Sequence, residues 1–251
     1  MKPIVRILFF LFFISTSLSA DQLEITVDQK KLQLPFWPAQ TQRYGAVLIV
    51  RGGEQPHWSD MLAQCANKLA TNGWSVVLLN CNPAQGIPWI NQLPEVIGSL
   101  RKEKNKRIIL IHYGDQLNQS LEYFSKPQSK MINALVMISA YGDIDIKDKG
   151  SEFRFPIFDV VGQFDYDTVL AAMDKRKKQF KEKSYLAMQM PGADHDYDYS
   201  EDLLISFVHG WMTKVPETKT QPRAVLDSYI HSVSLLQSKL VSIANFLGRR
   251  S

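Results

Sequence analysis

The chain has 251 residues, of which 45% are hydrophobic and 22% are charged, and its formal net charge is +4. This length and composition suit one domain with a sizeable core, and the sequence contains no internal repeat or low-complexity tract. The near-neutral balance gives no reason to expect nucleic acid as a partner.

The first twenty residues have the pattern of a secretory signal peptide. Lys2 and Arg6 precede the apolar run ILFFLFFISTSL, and small residues follow, so cleavage is predicted after Ala20, or after Ser19 by the alternative reading. An uncleaved anchor is the competing interpretation, but the run is shorter than the roughly 20 residues that span a bilayer. We therefore expect residues 1–20 to be removed, which takes away two cations and leaves a periplasmic or secreted protein.

Export would permit a disulfide between the two cysteines, Cys65 and Cys81, which flank Gly73 at equal distances. With one arm helical and the other extended, the two residues are offset by about 14 Å, because helix and strand rise at different rates. A disulfide requires Cα atoms within about 7 Å. The sequence thus favours two buried free thiols, and no histidine spacing accompanies them to form a metal site.

Apolar runs alternate with amphipathic stretches along the rest of the chain. LEITVD (23–28) alternates as a half-exposed strand does, and six continuous apolar runs indicate buried parallel strands: 45–50, 74–80, 107–111, 134–139, 156–161 and 185–190. Helical patterns lie between them at 57–73, 88–104, 116–124, 167–180 and 200–212. This order predicts an α/β fold with a doubly wound, mostly parallel sheet over residues 21–212, with functional groups on loops at the carboxyl ends of the strands.

Two further predictions concern a basic run and the room for a lid domain. The basic run at 174–183 is expected to be a solvated helix face. The chain between the strands at 134–139 and 156–161 is too short for a lid domain.

The C-terminal part is predicted to be a linker, residues 213–221, followed by an amphipathic helix, residues 222–251. Apolar residues recur there at spacings of three and four, as in a coiled coil: Leu226, Tyr229, Val233, Leu236, Leu240, Ile243 and Leu247. Such a stripe must be buried against something. Self-association or a protein partner through 222–249 is the favoured hypothesis, docking on the chain's own domain is the second, and a membrane surface is third because the polar side holds few cations.

The order of elements resembles the α/β-hydrolase superfamily over most of residues 22–212. The resemblance rests on four turns that follow predicted strands: RGGEQPHW at 51–58, HYGDQ at 112–116, GQFD at 162–165 and PGADHDYDY at 191–199. More narrowly, the chain resembles an uncharacterised family of exported bacterial proteins with this fold, for which no activity is settled. The superfamily implies an oxyanion-hole loop at Arg51, Gly52 and Gly53, a triad acid at Asp165 and a triad histidine at His195.

The turn that should carry the nucleophile departs from the superfamily pattern. Aligned on the glycine, Gly114 occupies the nucleophile position, and His112 and Gln116 stand where small residues are needed. The alternative alignment makes Asp115 a carboxylate nucleophile, with flanks that fit still less well. Ser120 lies further along the predicted helix and Ser139 ends a different strand, so no oxygen or sulfur nucleophile occupies the expected position.

Several aromatic residues follow the same strands, among them His57, Trp58, Trp89, His112 and Tyr141. They predict either a shallow aromatic-lined pocket or, as the simpler interpretation, a cap over the sheet.

The leading hypothesis is an exported α/β-hydrolase-like protein without serine-hydrolase activity, acting as a binding or interaction module of the bacterial envelope. The rival is a hydrolase of an envelope ester, amide or lipid that uses an unusual nucleophile or a water activated by His195. Neither interpretation calls for a cofactor or a metal.

Overall fold

A computed structural model of the chain describes residues 20–53, 58–79, 87–125, 131–142, 153, 155–180 and 184–217. The predicted signal peptide, His57, Cys81 and the predicted C-terminal helix lie outside these ranges, as do the side chains of Trp58 and Ser59.

The strands of the described ranges form one eight-stranded sheet. Its strands are β1 (Asp21–Val27), β2 (Lys30–Trp37), β3 (Gly45–Gly52), β4 (Trp74–Leu78), β5 (Ile108–Gly114), β6 (Ala134–Ile138), β7 (Ile157–Phe164) and β8 (Tyr185–Asp194). They lie in the order β1-β2-β4-β3-β5-β6-β7-β8. β3 to β8 run parallel, while β1 and β2 form an antiparallel extension at one edge. The predicted fold class is confirmed.

In the part of the chain that the structure describes, five helices cover the two faces of the sheet: α1 (Trp58–Thr71), α2 (Trp89–Lys102), α3 (Leu117–Phe124), α4 (Asp167–Gln179) and α5 (Glu201–Met212). Apolar residues of α1 and α5 share one core cluster with alternate residues of the strands, and those of α2 and α3 share the other. β5 and β6 are buried at every position, as expected for strands covered on both faces. No lid domain stands over the described part of the sheet.

The strand β2 was not predicted from the sequence. It pairs with β1 through a two-residue turn at Asp28 and Gln29, both of which have positive φ angles, as a tight hairpin of right-handed twist requires. Its pattern is weak because Pro35 interrupts it and six of its eight residues are exposed or half-buried.

The prediction that the basic run on α4 is a solvated helix face is wrong for one residue, Arg176. Lys175, Lys177 and Lys178 are exposed, but Arg176 is buried and forms a two-pronged ion pair with Asp159 of β7, at 2.7 Å and 3.0 Å. Tyr185 of β8 donates a hydrogen bond to the same carboxylate. This pair fixes α4 to the last two strands, and nothing in the spacing of the run distinguishes Arg176 from its neighbours.

The chain beyond α5 stays on the domain for a few residues. Val215 is buried, the Pro216 carbonyl accepts a hydrogen bond from Asn133, and Glu217 lies within 4.0 Å of Lys106 and Arg107. The first residues of the predicted linker therefore belong to the packed domain.

Two further sequence expectations concern single features. Cys65 is a free, buried cysteine. No helix in the described ranges has the length and apolarity needed to cross a bilayer.

Candidate functional site

The turns after β7 and β8 bring Asp165 and His195 together at the carboxyl edge of the sheet. The Nδ1 atom of His195 lies 2.6 Å from Oδ1 of Asp165, and both side chains are buried. A carboxylate only accepts hydrogen bonds, so Nδ1 carries the proton and the lone pair of a neutral imidazole is on Nε2. This is the geometry that a triad acid imposes on a triad histidine.

Among the described residues, four groups donate hydrogen bonds to the Asp165 carboxylate. Besides His195, it accepts from the backbone N–H groups of Gly162 and Tyr166 and from the Ser139 hydroxyl. A buried carboxylate with this many donors is held in one orientation. The acid therefore ties together the ends of three neighbouring strands as well as orienting the histidine.

Ser139 extends the same network to the turn after β8. Its hydroxyl has a single proton, which goes to Asp165, so the Tyr197 hydroxyl 2.8 Å away is the donor to Ser139. Ser139 and Tyr197 both have positive φ angles, 44° and 57°, an uncommon conformation for side-chain-bearing residues. The network therefore holds two strained backbone positions beside the dyad.

Three tyrosines surround the imidazole of His195. The Tyr166 ring stacks on it with centroids 4.2 Å apart, and the rings of Tyr113 and Tyr141 lie at 5.7 Å and 6.4 Å. Tyr113 is itself fully buried, and its hydroxyl donates to the backbone carbonyl of His195. As a result only 3% of His195 is exposed.

The turn after β5 is the one that the sequence predicts to carry the nucleophile position. Gly114 has a φ of 78°, the positive value that a sharp strand-to-helix turn imposes, and it has no side chain to present. Its carbonyl accepts the backbone N–H of Tyr141, and the Tyr141 carbonyl accepts that of Leu117 at the start of α3. The end of β6 thus holds the turn from both sides.

The predicted oxyanion-hole loop meets this turn directly. Gly52 is the register partner of Gly114, and a Cβ atom at Gly52 would lie 1.5 Å from the carbonyl oxygen of Asp115. Only glycine fits this close backbone approach. Gly53 follows with a φ of 77°, and Arg51 is half-buried beside them.

His112 occupies the flank where the superfamily pattern requires a small residue, and it holds the turn from below. Its Nε2 atom donates to the Asp115 carbonyl at 2.7 Å, so Nδ1 accepts from the Ser120 hydroxyl at 2.8 Å. Complete burial lowers the pKa of His112 to about 4. Its ring packs against Trp89 in the core, so these two residues are not part of an aromatic pocket.

Asp115 is half-buried, and its carboxylate accepts the backbone N–H of the next residue, Gln116, at 2.6 Å. Tyr141 lies nearby: its burial raises the pKa of its hydroxyl, and the negative charges of Asp115 and Asp165 add to the increase. The rim above the dyad thus combines phenol rings with carboxylates.

Sequence patterns did not single out Tyr113, Tyr166, Tyr197 or the bond of Ser139 to the acid. Each lies at or just after a strand end, but its partner is on a different strand, so no local spacing could have revealed the contact. In the described ranges, no group of three histidine, cysteine or acidic side chains is placed to hold a metal ion.

No family model matches the sequence, and no curated protein matches it. Solved structures do match the fold. A dienelactone hydrolase from Anabaena variabilis has a TM-score of 0.62 at 14% identity and covers 78% of this chain and 97% of its own. A monoglyceride lipase variant from Saccharomyces cerevisiae has a TM-score of 0.61 at 13% identity over 80% and 97%.

A lidless serine hydrolase of the same fold from Xanthomonas campestris has a TM-score of 0.58 at 16% identity over 81% and 97%. At these identities the likeness shows the fold, and the chain therefore has the α/β-hydrolase fold.

Proposed function

We propose that the protein is a non-catalytic binding or interaction module built on the α/β-hydrolase fold. The observation that carries this proposal is the elbow: Gly114 stands at the turn with a positive φ and presents no oxygen or sulfur. A serine hydrolase needs that atom within hydrogen-bond reach of its histidine.

The dyad has a structural role that does not depend on catalysis. Asp165 receives donors from the ends of β6, β7 and β8, and the Tyr113 hydroxyl of β5 binds the backbone of His195. Tyr166 stacks over the imidazole and Tyr141 meets it edge-on, which limits the approach of a substrate carbonyl. This buried network accounts for an acid and a histidine in a protein that performs no hydrolysis.

The location of this module is proposed from the sequence of residues 1–20, which has the pattern of a signal peptide. The corresponding assignment is a bacterial envelope protein related to the exported proteins that the sequence resembles.

Labelling with a broad fluorophosphonate probe tests the proposal. The expected result is no stoichiometric label on the wild-type protein. A label on a serine that disappears in His195→Ala would overturn the non-catalytic assignment.

A hydrolase that uses water activated by His195, or the Asp115 carboxylate, is the second candidate. The specific observation in its favour is the dyad geometry. Nδ1 of His195 carries the proton that is donated to Asp165, so Nε2 has the lone pair and can act as a base.

Hydrolysis of a small activated ester separates the two candidates. The triple variant Gly114→Ser, His112→Gly, Gln116→Gly restores the superfamily pattern at the elbow, and we expect a weak gain at best because it also removes the His112 bond to the Asp115 carbonyl. Wild-type rates that equal those of the triple variant and collapse in His195→Ala or Asp115→Asn would favour the second candidate.

A further inference from the structure

Two tyrosine rings frame the surface above the dyad. Tyr166 stacks on one face of the His195 imidazole, yet 53% of Tyr166 is exposed, so the other face of its ring is open to solvent. Tyr141 is half-buried and meets the same imidazole edge-on. Aromatic rings that are exposed where parallel strands end are typical contacts for a ligand.

The backbone holds both rings in place. Tyr166 is the residue that precedes α4, and its N–H donates to Asp165 at 2.9 Å. The N–H of Tyr141 donates to the Gly114 carbonyl, and the Tyr141 carbonyl accepts from Leu117. Because the rings stand on a fixed backbone, a ligand that contacts them has little ordering entropy to overcome.

The charges around these rings are negative. Burial raises the pKa of the Tyr166 hydroxyl, and three carboxylates add to the increase: Asp196, Asp165 and Asp194. Asp115 and Asp165 act on the Tyr141 hydroxyl in the same direction. Among the described residues, every charged group that acts on either hydroxyl is a carboxylate, and Arg51 at the end of β3 is not among them. This edge of the sheet therefore attracts a cation and repels an anion.

The arrangement suits an organic cation better than a metal ion. In the described ranges, the acidic side chains do not converge in a group of three that could hold a metal. A phenol ring, in contrast, attracts an ammonium group through its face. The two ring centroids are measured from the same imidazole and are at most about 11 Å apart, so the distances allow one ammonium group to lie within about 6 Å of both.

We propose that the rim above the dyad binds a small organic cation that carries an alkylated ammonium group. Four residues form this rim: Tyr141, Tyr166, Asp115 and Asp194. The ammonium group would lie against the open face of Tyr166, and the carboxylates supply the opposite charge. The proposal rests on the proposed binding function, and it names the class of ligand.

Titration of residues 21–251 with choline, followed by the NMR signal of the choline methyl protons, tests the proposal. We expect saturable binding that weakens as sodium chloride is added, because salt screens exposed charges. Dimethylbutanol, the neutral isostere in which carbon replaces the charged nitrogen, should bind at least tenfold more weakly. This comparison separates attraction to the charge from apolar contact alone.

Substitutions at the rim locate the bound cation. Tyr166→Leu and Asp115→Asn should each weaken choline binding at least threefold. Phe207→Leu and Asp174→Asn are the matched controls, because they remove an exposed ring from α5 and an exposed charge from α4. Both controls should leave binding unchanged. The melting temperature of each variant shows whether it folds, and Asp115→Asn preserves the test if Tyr166→Leu does not fold.

The proposal is overturned if choline does not bind, if dimethylbutanol binds equally well, or if choline binding is insensitive to both rim substitutions. Its failure is distinguishable from failure of the non-catalytic assignment, which the fluorophosphonate label decides. Absence of choline binding together with absence of label would remove the cation site and leave the non-catalytic assignment in place.

Discussion

His112 shows how a single side chain can replace the small residue expected at an elbow flank. The imidazole fills space between strand and helix, and its two nitrogens bind Ser120 and the Asp115 carbonyl. Both contacts require the neutral tautomer, because Nδ1 acts as an acceptor. Protonation of this residue is therefore incompatible with the folded turn.

The depressed pKa of His112 predicts a loss of stability in mild acid. Its folded pKa is about 4, below the value near 6.5 of an unfolded histidine, so the unfolded chain binds more protons between these two values. The free energy of unfolding should have its full value above about pH 6.5, and it should fall by about 3 kcal/mol as the pH drops to about 4.

Urea denaturation of wild type and His112→Gln across pH 4 to 7.5 measures this effect. The variant should lose most of the slope, whereas His209→Gln, a control at a half-buried histidine, should retain it. Equal slopes in wild type and His112→Gln would contradict the assignment.

Asp165 is expected to contribute to stability through its four donors. Asp165→Asn replaces one of the two carboxylate oxygens by an NH2 group, which cannot accept a hydrogen bond. The single oxygen that remains cannot accept from all four donors, so the Ser139 hydroxyl and a backbone N–H must compete for an acceptor. We expect a loss of about 3 kcal/mol in the free energy of unfolding. Asp174→Asn, at an exposed pair with Lys177, should cost less than about 0.5 kcal/mol. A change at Asp165 no larger than this control would mean that the network is not structural.

At the scale of elements, the approach of β3 to the elbow turn should tolerate no side chain. In Gly52→Ala the new Cβ atom would overlap the Asp115 backbone, which cannot rotate away as a side chain can. A loss of about 3 kcal/mol or more is expected in thermal or urea unfolding. Gly98→Ala, in the open, should be neutral or stabilising by up to about 1 kcal/mol. Similar effects at the two glycines would argue against the close approach.

The buried ion pair between α4 and β7 predicts strong coupling in a double-mutant cycle. Arg176→Met leaves the Asp159 carboxylate buried with Tyr185 alone, at a cost of about 3 to 5 kcal/mol. Asp159→Leu combined with Arg176→Met removes both charges, and most of the stability should return. Denaturant unfolding of the two single variants and the double variant measures the coupling. Additive losses would show that the two side chains act independently.

For the whole molecule, residues up to Glu217 should count as part of the domain. A chain that ends after Thr213 loses the burial of Val215 and the hydrogen bond from Asn133 to Pro216. Its free energy of unfolding should be about 2 kcal/mol lower than that of a chain that ends after Thr220. Equal stability of the two shortened chains would place the boundary at residue 213.

Local patterns predicted the central strands and the five helices. Burial on both faces of the sheet produces continuous apolar runs, and burial on one side of a helix produces helical periodicity. Asp165 and His195 were singled out by the resemblance to the α/β-hydrolase superfamily, in turns that directly follow such runs. The pairing of Arg176 with Asp159 joins residues 17 apart, and Tyr113 binds the backbone of His195 from 82 residues away. Contacts of this kind depend on the order of strands, which a single sequence pattern does not contain.

The elbow has a consequence for how such a sequence can change over generations. Gly114→Ser alone would place a side chain at a positive φ, and we expect no activity from it while His112 stands at the flank of the turn. Replacing His112 first removes two buried hydrogen bonds and yields nothing either. Two of the three first steps toward an active-site serine, those at Gly114 and His112, therefore carry an expected cost without an expected benefit. The order of mutations should therefore matter at this turn, because Gln116→Gly, at an exposed position with a φ of 60°, is the step with the least expected cost.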